Sequence, residues 1–185
     1  MKTKNILFTA FFIVAILQLA VPLQMISHNN EVLETGKLYK FKTQPIDPYD
    51  PFRGKYINLS FEEDELFIAK KINIDNDIYA VLTTKDGFAK VSKITTKEPE
   101  DGDYLKLKAA RIYEYNGKYQ IWLNFPFNRF YMNEYKAPEA EKNYNQAVTN
   151  IQNNVYALVA VKNGEAIVKD VIINNLSIKE YKPKK

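Results

Sequence analysis

The chain has 185 residues, with 26 lysines and arginines against 22 aspartates and glutamates, one histidine and no cysteine. The absence of cysteine excludes disulfides, a thiolate metal site and a lipid-modified cysteine anchor, and one histidine cannot build a multi-histidine metal centre. Lys2 and Lys4 precede the first apolar segment, which leaves 24 basic against 22 acidic side chains in the rest of the chain. So small an excess gives no reason to expect nucleic-acid binding.

The first predicted element is a membrane-spanning helix over residues 6–27. The stretch from Ile6 to Ile26 holds 21 residues without a charge. At about 1.5 Å of rise per residue it is roughly 31 Å long, which is enough to cross the core of a bilayer.

The lysine distribution predicts the orientation of this helix. Two lysines precede it and no lysine or arginine follows before Lys37, so the positive-inside rule places the amino terminus in the cytoplasm. A cleavable signal peptide is the alternative, but its nearest cleavage site has Gln18 where a small residue is needed. We therefore expect an uncleaved anchor, with a cytoplasmic segment 1–5, a transmembrane segment 6–27 and an extracytoplasmic domain 28–185.

A stiff, charged corner precedes the first clear strand. Asp47 and Asp50 each stand before a proline, which fixes its own backbone angle and favours an extended conformation for the aspartate. Their carboxylates can accept backbone hydrogen bonds, and the guanidinium of Arg53 can bind one of them. Gly54 then permits a tight turn into the strand. Such a corner either serves the fold alone or is a docking surface for another protein.

Period-two alternation and glycine turns predict a β domain. Residues 55–61 and 119–125 alternate apolar and polar side chains, as half-buried strands do. Three dipeptides between such runs favour type I′ turns and hence hairpins: Asp86-Gly87, Asn116-Gly117 and Asn163-Gly164. A further Asp-Gly, at 101–102, opens a strand that starts at Asp103.

One segment has helical spacing instead. Pro138 is predicted near the first helical position, with Glu139 and Glu141 in the first turn, and the helix is predicted to end at Asn153-Asn154. The stripe that should face the sheet is Ala140, Tyr144, Val148 and Ile151. We therefore expect a mainly β domain, with an antiparallel, curled or barrel-like sheet of about eight strands and one amphipathic helix covering an edge, preceded by the transmembrane helix.

Two blocks of the sequence carry a family resemblance. The first is RGKYINLSF at 53–61, preceded by PIDP at 45–48 and DPF at 50–52, and the second is RFYMNE at 129–134 followed by Pro138-Glu139. Together they resemble the GDYXXLXY family of membrane-anchored bacterial proteins. Lys55 stands where that signature has aspartate and Phe61 where it has its last tyrosine, so no role of that carboxylate or hydroxyl transfers. The resemblance implies a family but no chemistry.

These features favour a non-catalytic accessory domain that binds an integral membrane protein and uses no cofactor and no metal. The oligomeric state is left open. We assign the binding surface to the corner and to the two family blocks, with the residues Asp47, Asp50, Arg53, Gly54, Tyr56 and Glu139.

Two other functions are left open. Exposed aromatic side chains in stretches such as FPFNRFYMNEY, residues 125–135, suit an envelope peptide or glycan, with Trp122 as a reporter. The order of a membrane span, an RG-x-Y strand and Lys70-Lys71 also loosely resembles type I signal peptidases, which use a serine nucleophile and a lysine base. No Ser-Met-x-Pro segment follows the span, however, and Ser27 is the nearest candidate nucleophile.

Three charged features are predicted to be solvated. The acidic run Glu62-Glu63-Asp64-Glu65 has the composition of a hard-cation site but is expected to be a solvated strand end. His28 is expected to be an interfacial polar residue just after the span, and the basic tail at 182–185 a solvated terminus.

Overall fold

The structure is a computed structural model that describes residues 2–45, 56–73 and 77–182, with the backbone alone described at residues 2–5 and 109–110. The four corner residues Asp47, Asp50, Arg53 and Gly54 lie outside the described residues. The helices are α1 (Lys2–Thr35) and α2 (Ala137–Val148), and a 3₁₀ turn, here called the acidic turn, spans Glu62–Asp64. The strands are β1 (Lys37–Gln44), β2 (Tyr56–Asn58), β3 (Ser60–Phe61), β4 (Glu65–Ile68), β5 (Ile78–Lys85), β6 (Phe88–Thr95), β7 (Tyr104–Tyr115), β8 (Lys118–Asn124), β9 (Arg129–Tyr131), β10 (Val155–Lys162), β11 (Glu165–Ile173) and β12 (Leu176–Ser177).

The strands form two five-stranded sheets and a ribbon. Sheet 1 has the order β12-β11-β10-β1-β3, sheet 2 has the order β4-β8-β7-β5-β6, and β2 pairs with β9. The pairs between these strands are antiparallel. The predicted mainly β, antiparallel class is confirmed. The described residues form twelve strands rather than about eight. The additional strands are those at the sheet edges and in the ribbon, which are too short to show a long alternation of apolar and polar residues.

Local turn chemistry produces the predicted hairpins. Both central residues of the three predicted hairpin dipeptides have a positive φ, with 52° and 81° at 86–87, 51° and 72° at 116–117, and 49° and 84° at 163–164. These signs are those of a type I′ turn, whose twist matches paired antiparallel strands. The three hairpins β5-β6, β7-β8 and β10-β11 are therefore confirmed.

Four phenylalanines form the centre of the core. Phe41 lies on β1, Phe61 on β3, and Phe125 and Phe127 follow β8. Each ring is at most 3% exposed, and every pair of ring centroids lies 5.0–5.8 Å apart. Such aromatic pairs contribute about 0.5–1.5 kcal/mol each beyond the area that they bury. This cluster joins the inner faces of the two sheets.

Polar contacts join the sheets at their rims. The Nζ of Lys37 and the hydroxyl of Tyr39, both on β1, donate to Oδ2 of Asp103 at 2.7 Å. The bond from Lys37, and then that from Tyr39, holds the pKa of the Asp103 carboxyl below its usual range. Nearby, the N–H of Lys106 in β7 donates to the carbonyl of Gly164 at 2.8 Å. Sheet 1 is thus joined to the start of β7 and to Asp103, the residue just before it.

Helix α1 is longer than the predicted span. It has 34 residues, or about 51 Å at 1.5 Å per residue, and continues for eight residues beyond residue 27. Within the described part of the chain it is the one helix long and apolar enough to cross a membrane. The large apolar side chains between Ile6 and Ile26 are 52–67% exposed, so the rest of the protein does not cover them.

The end of α1 packs on sheet 1. Val32 is 2% exposed where the helix meets β10 and β11. The Nζ of Lys162 donates to Oε1 of Glu31 and to Oγ1 of Thr35, at 2.7 Å in each case. His28, expected to be an interfacial polar residue, places its Nε2 2.5 Å from Oε2 of Glu165 while the side chain stays half exposed. The helix therefore enters the sheet directly.

Gly36 makes this junction possible. Its N–H donates to the carbonyl of Val32 at 2.9 Å. A Cβ at this position would lie 2.4 Å from the carbonyl oxygen of Val32 and 3.2 Å from the backbone of Val161. Only glycine permits so close an approach of the helix end to β10.

Helix α2 ends five residues before the predicted Asn153. Ala140 and Tyr144 are buried as expected, but Ile151 is fully exposed, so its place in the stripe was wrong. Thr149 is the C-cap residue, and its hydroxyl donates to the otherwise free terminal carbonyls of Asn145 and Gln146 at 3.1 Å. The chain then leaves the helix axis to reach β10.

Replacing Gly36 with alanine tests the junction. We expect Gly36→Ala to lower the free energy of unfolding of the full chain in detergent micelles by about 1–3 kcal/mol, because the added methyl group displaces the helix end from β10. The change in the free energy of unfolding is measured by urea unfolding that is monitored through Trp122 fluorescence. Glu34→Ala, an exposed site on the same turn, serves as the control and should change stability by less than about 0.5 kcal/mol. Equal unfolding curves for the two variants would contradict this account.

Candidate functional site

A cleft opens where β3, β8 and the acidic turn meet. It has a volume of about 300 Å³, and its polar lining includes Gln44, Ser60, Asp64, Glu65, Asn124 and Asn128. Trp122, which is 41% exposed, forms part of the wall. We call this the Trp122 cleft. A concave site with one aromatic wall and several convergent polar groups is a usual form of a ligand site.

Asp64 lies at the base of the cleft. Its Oδ2 accepts hydrogen bonds from the hydroxyl of Ser60 and from the N–H of Phe61, both at 2.8 Å. The amide of Gln44 donates in turn to the Ser60 hydroxyl at 3.0 Å. Burial raises the pKa of the Asp64 carboxyl, and the two hydrogen bonds oppose this rise. The carboxylate is therefore held in place in a setting that disfavours its charge.

The acidic run is not the solvated strand end that was predicted. Glu63 is 7% exposed, and its carboxylate accepts from Nζ of Lys90 at 2.6 Å and from the N–H of Val91 at 2.9 Å. Glu62 pairs with Lys42 at 2.8 Å. The prediction failed because these partners lie on β6 and β1, far along the chain. Within the described residues, no three acidic or histidine side chains are grouped to hold a metal ion.

The outer face of the ribbon lies beside the cleft. Tyr56 is paired with Tyr131 and Asn58 with Arg129, so the four side chains share one face. The two tyrosine rings have centroids 5.5 Å apart, and the guanidinium of Arg129 lies 4.9 Å from the centre of the Tyr56 ring. We call these four residues the arginine-tyrosine face. Such an exposed cation–π contact is worth about 0.5–1 kcal/mol.

The face leads into the cleft along one strand. In the segment 56–61, Ile57, Leu59 and Phe61 are buried, and Tyr56, Asn58 and Ser60 are half-buried on the other side. The predicted alternation is confirmed. Tyr56 and Ser60 are four residues apart, or about 13 Å along an extended strand. A single elongated ligand can therefore contact both places.

The predicted binding residues are placed unequally. Tyr56 belongs to the arginine-tyrosine face, as above. Glu139 is exposed in the first turn of α2 and makes no hydrogen bond or ion pair to that face in the described structure. Arg129 and Tyr131 belong to the second family block, but their role at the face depends on the pairing of β2 with β9, which no local pattern revealed.

The residues considered for a serine-lysine hydrolase lie in solvent-exposed positions. Lys70 and Lys71 are exposed, and Ser27 is exposed on α1. A lysine that acts as a base must be desolvated. Neither lysine meets that requirement.

The fold and the site define a mainly β domain that is carried on one long apolar helix and presents an aromatic, cationic face beside a polar cleft. The family model described as GDYXXLXY protein matches residues 18–171, and the chain belongs to this family. No curated protein and no solved structure matches the chain. The departure from the signature at Phe61 has a physical reason, because this ring is 1% exposed among three other phenylalanines, where a tyrosine hydroxyl would need a partner.

Replacing Asp64 with asparagine tests the electrostatics of the cleft. Because the folded pKa of Asp64 is raised, its contribution to stability is present below the unfolded value, about 4, and is lost as the pH rises through the folded value. Asparagine keeps an acceptor for Ser60 and Phe61 and removes the buried charge. We expect Asp64→Asn to raise the thermal midpoint at pH 7, and this difference should shrink as the pH falls toward about 4.

The control for this measurement is Asp64→Ala. It removes the acceptor of the Phe61 N–H and should cost about 1–3 kcal/mol. An asparagine variant that is less stable than the natural protein at every pH would contradict the assignment.

Proposed function

We propose that the protein is a non-catalytic accessory domain of a membrane protein assembly in the bacterial cytoplasmic membrane. In this proposal α1 is its single membrane anchor, with residues 1–5 in the cytoplasm and the β domain outside it. The domain binds the extracytoplasmic part of an integral membrane protein through the arginine-tyrosine face and the corner that precedes Tyr56 in the sequence.

The exposure of α1 supports the anchor. Apolar side chains that are more than half exposed over the whole stretch from Ile6 to Ile26 need an apolar environment that the β domain does not supply. A bilayer supplies it, and the uncharged length of about 31 Å fits its thickness. The lysines at positions 2 and 4 support the orientation.

The composition of the face supports a protein partner. Tyrosine and arginine are enriched at the centres of protein interfaces, because each offers a large contact area together with a polar end. Tyr131 is 64% exposed and Tyr135, four residues further on, is 87% exposed. The stacking of Arg129 on Tyr56 fixes the guanidinium before a partner arrives, which lowers the entropy cost of binding.

The test is photo-crosslinking in the native cell. A photoreactive phenylalanine at Tyr131 should capture one integral membrane protein, whereas the same residue at Tyr113 should not. Tyr113 is a matched control, since it is 53% exposed but lies on β7, away from the ribbon. Arg129→Ala, introduced beside the photoreactive residue, should lower the yield about fivefold or more, as expected for the loss of at least 1 kcal/mol of binding.

Two results would count against this function. One is the same set of captured proteins from positions 131 and 113. The other is capture from position 131 that Arg129→Ala leaves unchanged. Lys118→Ala, an exposed site at the β7-β8 turn, controls for a general effect of charge removal.

The Trp122 cleft favours a second candidate, the binding of an envelope peptide. Asp64 and Glu65 place two carboxyl groups beside the exposed indole, and Asn124 and Asn128 add amides that suit a peptide backbone. A short peptide with a lysine side chain matches this lining.

Fluorescence of the only tryptophan tests this candidate. Lysine-containing peptides should shift the Trp122 emission, and the same peptides with acetylated lysine should bind about tenfold more weakly, as should the natural peptides to Asp64→Asn. Glu114→Gln, which removes an exposed carboxylate on β7, is the control. Equal affinities for the charged and the acetylated peptides would exclude this role for the cleft.

A further inference from the structure

A second and larger cavity lies at the C-terminal end of α2. It has a volume of about 650 Å³ and lies between this helix end, the segment that leads to β10 and the turn between β11 and β12. Six of its lining side chains are primary amides: Asn143, Gln146, Asn150, Gln152, Asn153 and Asn174. We call it the amide cavity. It shares no lining residue with the Trp122 cleft or the arginine-tyrosine face.

Three of these amides build the wall. The side-chain nitrogen of Asn153 donates to the carbonyl of Ala147 at 3.2 Å, and that of Asn174 donates to Oδ1 of Asn153 at 2.8 Å. The side-chain oxygen of Asn174 accepts from the N–H of Asn154 at 2.9 Å, and that of Asn150 accepts from the N–H of Gln152 at 3.0 Å. These bonds fix α2 against the β11-β12 turn, so the cavity has a preformed wall.

The amide of Asn143 points to a ligand. Asn143 is only 6% exposed, and within the described residues its side chain makes no hydrogen bond. Its amide atoms are not fully enclosed by the protein, so they are reached from the cavity that the side chain lines. The donor and the acceptor of Asn143 are therefore available, at the wall of the cavity, to a molecule that enters it.

The rim adds groups of the same kind. Gln146 and Gln152 are exposed, and their side chains make no bond to other described residues, while Asn150 keeps its nitrogen free. Together with Asn143 they offer both donors and acceptors on one concave surface. Among the described residues that line the cavity none is acidic, and Lys182 is the only charged one.

This lining suits a sugar. A hydroxyl group can both donate and accept a hydrogen bond. A side-chain amide can accept from one sugar hydroxyl through its oxygen and donate to a neighbouring hydroxyl through its nitrogen. The half-buried ring of Tyr181 and the half-exposed side chain of Leu176 supply apolar surface for the C–H face of a sugar ring. The volume lies within the usual range of small-molecule sites. We propose that the amide cavity binds an uncharged saccharide, with Asn143 as the innermost hydrogen-bonding residue.

Saturation-transfer NMR on the full chain tests the proposal. The protein is held in a detergent without a sugar headgroup, and the probes are an N-acetylglucosamine disaccharide and, as a match in size, tetraglycine. We expect transfer to the disaccharide and none to tetraglycine at about 10 mM. Transfer to tetraglycine alone, or to neither probe, would overturn the proposal.

Asn143→Leu separates binding from folding. Leucine has the same branching of side-chain heavy atoms as asparagine but cannot form hydrogen bonds, and the thermal midpoint of the variant, measured beside its affinity, shows that it is folded. Its affinity for the disaccharide should fall at least tenfold. Asn145→Leu, on the same helix but outside the cavity lining, should bind as the natural protein does. An Asn143→Leu variant that keeps full affinity would refute the assigned role.

Discussion

Contact among four phenylalanine rings is the interaction on which the rest of the domain depends. Phe41 belongs to sheet 1, and Phe125 and Phe127 follow the last residue of β8 in sheet 2. Phe61 packs between them at the end of β3, with ring centroids 5.2–5.8 Å away. Phe61 is fixed in this way at the end of β3. The acidic turn follows directly and takes the chain from β3 in sheet 1 to β4 in sheet 2.

The extended segment 56–61, which contains β2 and β3, has two roles. Its inner side chains complete the core, and its outer side chains supply Tyr56 to the arginine-tyrosine face and Ser60 to the Trp122 cleft. The family signature thus joins a packing requirement to the proposed binding surface within eight residues. A change in the register of this strand would move both sets to the wrong side at once. The partial burial of Asp64 beside it, which raises the pKa of that carboxyl, is an electrostatic cost of placing the turn there, whereas the buried Glu63 is paired with Lys90.

Features that depend on neighbours in the sequence were predictable, and those that depend on distant partners were not. The hairpin turns follow from Asn-Gly and Asp-Gly alone, and the apolar helix follows from its composition. The eight extra residues of α1 had one local signal, Gly36, which is a common helix stop that sequence reading passed over. Glu63 gave no such signal, because its burial depends on Lys90, 27 residues away. The spacing of Ile151 suited the helix, but α2 ends at Val148 with Thr149 as its C-cap, before Ile151 is reached.

The junction at Gly36 has a geometrical consequence. A single residue separates α1 from β1, so no flexible linker lies between this helix and the β domain. Each residue inserted into or deleted from α1 would rotate the β domain by about 100° about the helix axis and shift it by about 1.5 Å along that axis. The direction that the β domain faces around the helix axis is therefore set by the number of residues in α1.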